Sequence, residues 1–492
     1  MWKRIAAALA GIVILLAAVV LWRASRLTSR QPAVEAAPAA VVDTAAAAAH
    51  LAGAIRFRTI SHQQGQGTDS AAFLALHAYL ADAYPRTHEA LTRETVSDLS
   101  LLYTWQGSEP DLDPIVLMAH QDVVPVIPGT EAAWEHPPFG GDVADGFVWG
   151  RGSMDDKLND ISILEAVEGL VAGGFTPRHT IYLAFGHDEE IGGLHGAREI
   201  QRLLAARGVE RFAFVVDEGG AVVRGMIPGI ERPVALVGIA EKGYASVELT
   251  VDAEGGHSST PPPHTAIGVL SRAITRLEDH PFPARLDGPA REMFAFTGPE
   301  MSLGGRVLFG NLWLFSPLLT RMLLATPASA AMVRTTTAAT IIEGGVKDNV
   351  PPIHARAVVN HRILPGETVP SVLERDRRII DDERVQLHAL GDDGRDPSPV
   401  SDPTSPAFSL LARTVRQVLA GEDVVVAPYL VMGGTDSKYY AQVSPNVFRF
   451  SAAPMAADAL ERVHGTNERI SVEGLATNVR FYARLIRNSD GM

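Results

Sequence analysis

The sequence predicts an α/β protein whose mostly parallel sheet is interrupted by a smaller antiparallel α+β unit and preceded by one apolar helix. Three observations carry that prediction. Continuously apolar runs, "DPIVLMAHQD" (113–122), "HTIYLAFGHDEE" (179–190) and "RFAFVVDEGG" (211–220), alternate with helically spaced stretches such as "KLNDISILEAVEGLVAGG" (157–174). Strands that are apolar on both faces and separated by helices belong to a parallel sheet covered on both sides. From residue 244 the pattern alternates instead, in "YASVELTVDAE" (244–254) and "HARAVVNHRILPG" (354–366), as half-exposed antiparallel strands do.

In chain order, Ile5 to Trp22 is an uncharged run with Lys3 and Arg4 before it and Arg23, Arg26 and Arg30 after it. About 18 apolar residues reach the lower limit for crossing a bilayer. The run ends in "LWRAS" with no small-x-small cleavage site. That favours an uncleaved single-pass anchor (1–30) over a removed signal peptide and a secreted product. The folded part is expected on the extracytoplasmic side, although the flanking cations balance and do not themselves fix the topology. Residues 31–48 read as an Ala/Pro tether. The α/β domain spans 49–243 and resumes over 397–492, where "PAFSLLARTVRQVLAG" (406–421) regains helical spacing. Between them lies a lid, 244–396, with an apolar insertion at about residues 285–335. Its core, 301–333, contains no acidic residue. It reads either as a buried piece packing on the lid or as a hydrophobic surface for an acyl chain, a membrane or a partner.

Composition narrows the functions. At 492 residues, 46% hydrophobic and 20% charged, the chain is globular and longer than one ordinary domain. A net charge of −14 with no long Lys/Arg run argues against nucleic acid as a partner. Cysteine is absent, so disulfides, thiolate metal sites and cysteine nucleophiles are excluded. Any transition metal must be held by His, Asp and Glu.

Such residues collect where ligands sit in parallel sheets, beyond the carboxyl ends of the strands. His120, the Glu189/Glu190 pair and Asp217 all fall there. Asp122, two residues after His120, is placed to orient an imidazole, as carboxylates commonly do for metal-bound histidines. "WGRGSMDDKLND" (149–160) sets Asp155 and Asp156 before a helix; Asp156 can cap it, which leaves Asp155 free to bridge metals. "GHDEEIGG" (186–193) packs three carboxylates together, a crowding that a solvated loop or a bound cation relieves. The dinucleotide fingerprint, the serine-hydrolase elbow and the H-E-x-x-H motif are all missing.

"AHQDVVP", "GRGSMDDK", "GHDEEIGG", "VVDEGG", "GGHSSTPP", "DNVPP", "NHRILPG", "GGTDS" and "HGTNE" occur in this order between about residues 50 and 485. In that order they resemble the di-zinc metallopeptidases that include carboxypeptidase S, aminoacylase and glutamate carboxypeptidase, and most nearly the carboxypeptidase S branch. The resemblance implies a phosphorylase/hydrolase-like catalytic domain interrupted by a dimerisation lid, and two Zn2+ per chain, with Co2+ or Mn2+ acceptable to the same ligands. It implies that His120 and Asp217 bind one zinc, Glu190 and His464 the other, and Asp155 both, with a cis bond between Asp155 and Asp156. Asp122 would orient His120, and Glu189 would serve as general base and acid. His257 would reach a site across a homodimer interface. Asn349, Arg362, Gly434 and Thr435 would hold the substrate's carboxylate. The substrate implied is a small peptide or an N-acyl amino acid. A non-catalytic membrane-tethered binding protein on the same fold and a metabolite deacylase stay open at this point.

Overall fold

The computed structural model describes residues 1–492 except 36, 37, 39, 63–66, 392, 393 and 457. Its main sheet runs from one edge as Thr92–Val96, Ser100–Trp105, Ile181–Gly186, Ile115–His120, Phe214–Asp217, Val447–Arg449, Val234–Glu241, Ala221–Val223 and Pro454–Met455. Val425–Val431 adds a further parallel partner to Val234–Glu241. The four central strands, from Ile181–Gly186 to Val447–Arg449, are parallel. Both flanks turn antiparallel, so the sheet is mixed rather than mostly parallel. One cause is a tight hairpin at the edge: Ser97 and Asp98 take positive φ values of 49° and 69°, the mirror-image turn that suits strand twist.

Packing follows the apolar patterns. Every residue of Ile115–His120 is buried. The helix Lys157–Ala172 covers one face of the sheet and packs against Val472–Ser489 and Thr44–Ile55. Ala197–Ala206 covers the other face through Ile200 and Leu204. Thr44–Ile55 starts inside the stretch read as tether, because Asp43 accepts the amides of Ala45 and Ala46 at 3.1 and 3.0 Å and its small alanines permit close packing. Gln31 also exchanges hydrogen bonds with the Val426 backbone at 2.9 and 2.8 Å. That chain segment is fastened to the domain at both ends.

The lid is an antiparallel sheet in the order Thr336–Gly344, His354–Ile363, Gly243–Asp252 and Val385–Ala389. Helices Ala266–Asp279 and Val369–Ile380 bury its apolar face. Its central strand follows Val234–Glu241 after the single residue Lys242, whose buried Nζ donates to the carbonyls of Ala331 and Arg334 at 3.0 and 2.9 Å. The insertion is not simply a buried piece on the lid. Its helix Gly288–Thr297 packs on Val425–Val431 of the main sheet, with Phe296 edge-on to Phe408. Leu303–Gly310 and Leu312–Leu323 leave Leu303, Trp313, Leu318 and Met322 exposed.

Candidate active site

His120 is the last residue of its strand; the next strand ends at Gly186 and turns into a short 3-10 segment, Glu189–Ile191. The buried Asp122 carboxylate ties the two together. It accepts the Ser61 hydroxyl at 2.6 Å and the amides of Glu189 and Glu190 at 3.2 and 3.1 Å. It also lies 3.3 Å from His120 Nδ1, which contacts the Asp122 carbonyl at 3.0 Å. One carboxylate therefore sets the imidazole plane and pins the acidic turn. Asp188 has a structural role: it accepts the amides of His195 and Gly196 at 2.7 and 2.8 Å, just ahead of the helix Ala197–Ala206. Gly193 is required by close approach, since its φ is 70° and a Cβ there would stand 2.0 Å from Asp436 Oδ1.

Asp155 is held from below. The Asp155–Asp156 peptide is cis. Glu468, fully buried, accepts the amides of Gly152, Met154 and Asp155 at 3.0, 2.8 and 3.3 Å and pairs with Arg151 Nη1 at 2.6 Å. Arg151 in turn donates to the Gly465 carbonyl at 2.9 Å, beside His464, whose backbone sits in the left-handed region at φ 61°. The Asp155 loop and the His464 loop are thus locked by one buried ion pair.

Two clusters share Asp155. Its Oδ1 is 3.0 Å from His120 Nε2, which lies 3.7 Å from Glu218 Oε1. Its Oδ2 is 3.0 Å from His464 Nε2, which lies 3.3 Å from Glu190 Oε1. Within each trio the ligand atoms fall within 4.8 Å of one another. Asp217, expected to act with His120, is bonded to backbone amides. Its Oδ2 accepts the Ser437 amide at 2.7 Å and its Oδ1 the Glu218 amide at 3.0 Å. The neighbouring Glu218 takes the place beside His120.

The electrostatics show a site short of positive charge. Burial, then the Asp155 charge, pushes Glu218 up to about 8. Burial raises Glu190 and lifts Glu189 well above the usual carboxylate range, with His120 and Lys438 pulling Glu189 back. His464, hydrogen-bonded to Asp155 and 3.3 Å from the Glu190 carboxylate, is pushed up to about 10 by those two groups. Burial opposes charge on His120, yet the bonds to Asp122, Asp155 and Glu218 outweigh it and hold its pKa well above the ordinary value. Glu190 Oε1 is buried without a hydrogen-bond partner among the described residues. Imidazoles and carboxylates converging from separate elements, with an orphaned oxygen between them, fit divalent cations.

The expected substrate residues divide. Arg362 lies over the Tyr244 ring at 4.9 Å, its pKa lowered by burial and then by Arg395. The Arg395 guanidinium rests on Gly434, where a Cβ would meet Nη2 at 1.5 Å. Arg395 was not identified from the sequence, because nothing in "DDGRDP" marks it. Thr435 is turned inward, its amide and hydroxyl bound to the buried Glu241 at 3.2 and 2.7 Å. His257 and Asn349 are exposed lid residues outside the cluster: His257 Nδ1 bonds the Ser259 hydroxyl at 2.7 Å, and Asn349 accepts Lys347 Nζ at 2.8 Å.

Residues 116–488 match the profile described as Peptidase family M20/M25/M40. The chain is 40% identical over 474 residues to a probable carboxypeptidase S-like 2 of Dictyostelium discoideum, covering 94% of this chain and 90% of that one. It is 42% identical over 444 residues to an N-fatty-acyl-amino acid synthase/hydrolase of Xenopus tropicalis, covering 89% and 85%. The fold is similar to that of an M20 family metallo-carboxypeptidase from Sulfolobus solfataricus, with a TM-score of 0.64 at 17% identity over 91% of this chain and 99% of that chain.

Glu468→Ala tests the clamp. It strands the buried Arg151 charge and frees the Asp155 loop, at an expected cost of about 3–5 kcal/mol in stability and about 10–100-fold in metal affinity. Urea unfolding and a zinc competition titration measure both; unchanged values in both would remove Glu468 from the account.

Proposed function

The chain belongs to peptidase family M20/M25/M40 and is a metal-dependent amide hydrolase, and within that class we propose that it releases a C-terminal amino acid from N-acyl amino acids or small peptides. The observation that carries this reading is the pair of His/carboxylate trios sharing Asp155, with Glu189 next to Glu190 in the chain. We assign two zinc ions, one to His120, Asp155 and Glu218 and the other to Asp155, Glu190 and His464. Bound there, they polarise an amide carbonyl and acidify water.

The protein's own groups supply the rest. Glu189, tethered through its amide to Asp122, takes a proton from the attacking water and delivers it to the departing amine nitrogen. Its raised proton affinity suits a group that must hold that proton between the two steps. Arg362 and Arg395 pair with the substrate's terminal carboxylate, Arg395 over the open face of Gly434. Two cations side by side repel, so an anion between them relieves both. His257, exposed on the lid, is assigned to the site of a second copy in a homodimer formed through the lid, with Asn349 on the same approach. The helix Trp2–Ser25, whose most apolar window has a mean hydropathy of 2.8 and is 6% buried, is assigned as a single-pass anchor with the catalytic domain on the extracytoplasmic side. The anchor and apolar insertion favour substrates with apolar acyl groups or side chains.

Two tests follow. A profile of the zinc-loaded full chain against N-oleoyl amino acids, Gly-Leu-type dipeptides and their C-terminal amides should show cleavage only where the carboxylate is free. Equal rates on the amidated compounds would refute the arginine assignment, and no cleavage of any amide would refute the substrate class. For the site, Glu189→Gln should lower turnover about 10²–10⁴-fold with full metal content. By contrast, Glu218→Gln should lose metal, whereas Asp217→Asn retains it, by elemental analysis of the dialysed proteins. Loss from Asp217→Asn but not from Glu218→Gln would reverse the ligand assignment.

A further inference from the structure

The apolar insertion and the N-terminal helix are fastened together. In the helix Trp2–Ser25 the buried residues are Val20 and Ala24, both near its C-terminal end. Asn311 Nδ2 donates to the Val20 carbonyl at 3.0 Å, and Arg306 donates to the carbonyls of Leu27 at 2.7 Å and Ala24 at 3.3 Å. Arg23 Nε reaches the Gly310 carbonyl at 3.1 Å, and Gly310 leaves no room between itself and Ala24, whose Cα would be 3.3 Å from a Cβ. The start of Leu312–Leu323 is therefore fixed at the level of Val20.

That level decides what the insertion meets. Val20 lies five residues before the end of the helix at Ser25, about 7.5 Å along its axis at 1.5 Å per residue. Amphipathic helices that lie in a membrane interface bury their apolar face to about the same depth, 5–10 Å. Leu312–Leu323 has the matching surface. Leu314, Leu318 and Met322 recur every four residues and are exposed, Leu318 and Met322 by 52% and 55%, with Trp313 at 56% beside them. Such a spacing puts them on one side of the helix. Arg321, three residues after Leu318 and seven after Leu314, puts an exposed cation on this same side. Arg23 adds another where the insertion meets the N-terminal helix, and residues 301–333 hold no acidic side chain. An exposed tryptophan, an apolar stripe and neighbouring arginines without carboxylates match acyl chains below anionic headgroups. They match a folded partner less well, since nothing acidic is present to pair with a basic one.

Resting on the anchor reading, we propose that the insertion is a second membrane contact: Leu312–Leu323, together with Leu303, lies in the bilayer interface beside the anchor helix, its apolar stripe in the acyl boundary. The catalytic domain is then held to the bilayer at two points and cannot swing freely on its tether.

The absence of cysteine allows single nitroxide labels on the full chain, reconstituted in vesicles of phosphatidylcholine and phosphatidylglycerol. Labels at Leu318→Cys and Met322→Cys are compared with Ile14→Cys in the anchor and Ile353→Cys on the exposed lid. Collisions with oxygen report lipid and collisions with a nickel chelate report water. The expected result is an oxygen-to-nickel ratio several-fold higher at residues 14, 318 and 322 than at 353. A lipid value at 14 with water values at 318 and 322 overturns the inference and spares the anchor. Water values at all four positions overturn the anchor and the inference with it. Labels at 318 and 322 shielded from both reagents show a second copy or a protein partner covering the stripe, which also overturns it.

Discussion

The Asp155 carboxylate stands between two imidazoles, and most of the architecture around it serves to keep it there. Its oxygens lie 3.0 Å from His120 Nε2 and 3.0 Å from His464 Nε2, with Glu218 and Glu190 on the far sides. Buried carboxylates at such separations repel strongly in a medium less polarisable than water. Burial and that repulsion raise the proton affinity of Glu218 and Glu190, and the neighbouring carboxylates raise that of His464. Each supporting contact stiffens the same point: Asp122 beneath His120 and the Glu189–Glu190 turn, Glu468 and Arg151 beneath Asp155 and His464. A rigid excess of negative charge is what a divalent metal site requires before the metal arrives.

Much of this arrangement was legible in the sequence, because parallel strands announce themselves by apolar runs and their carboxyl ends collect ligands. His120, Asp155, Glu190 and His464 come together from four separate segments. Asp217 illustrates the limit. A run that ends in two carboxylates identifies the place but not which residue turns inward; the Asp217 carboxylate accepts the Ser437 amide, and Glu218 stands 3.7 Å from His120. Glu468 stood within the quoted "HGTNE" motif, yet its work is done through backbone amides that no spacing rule exposes. Arg395 carries no signal either, since its partners, Gly434 and Arg362, are distant in sequence. The edge hairpin was missed because Ser97 and Asp98 adopt left-handed backbone without a glycine to mark it.

Acidic crowding in "GHDEEIGG" resolves into three separate tasks. Asp188 holds the start of a helix, Glu189 is tied through its amide to Asp122, and Glu190 faces His464. The glycines that bracket them make room for Asp436, a buried carboxylate whose proton affinity burial raises well above the usual range. Away from the cluster, the lid continues from the main sheet with a single residue, Lys242, between their strands, and the insertion joins the lid to the N-terminal helix. The insertion therefore contacts both the main sheet and the N-terminal helix.

A cation that enters this cluster must displace the protons its raised groups hold. Calorimetric titration of the metal-stripped full chain with zinc at pH 7, repeated in buffers of different ionisation enthalpy, measures the protons released directly. The account predicts proton release from His464, Glu218 and their neighbours as zinc binds, and tighter binding as pH rises. Zinc binding that releases no protons and is indifferent to pH would contradict it.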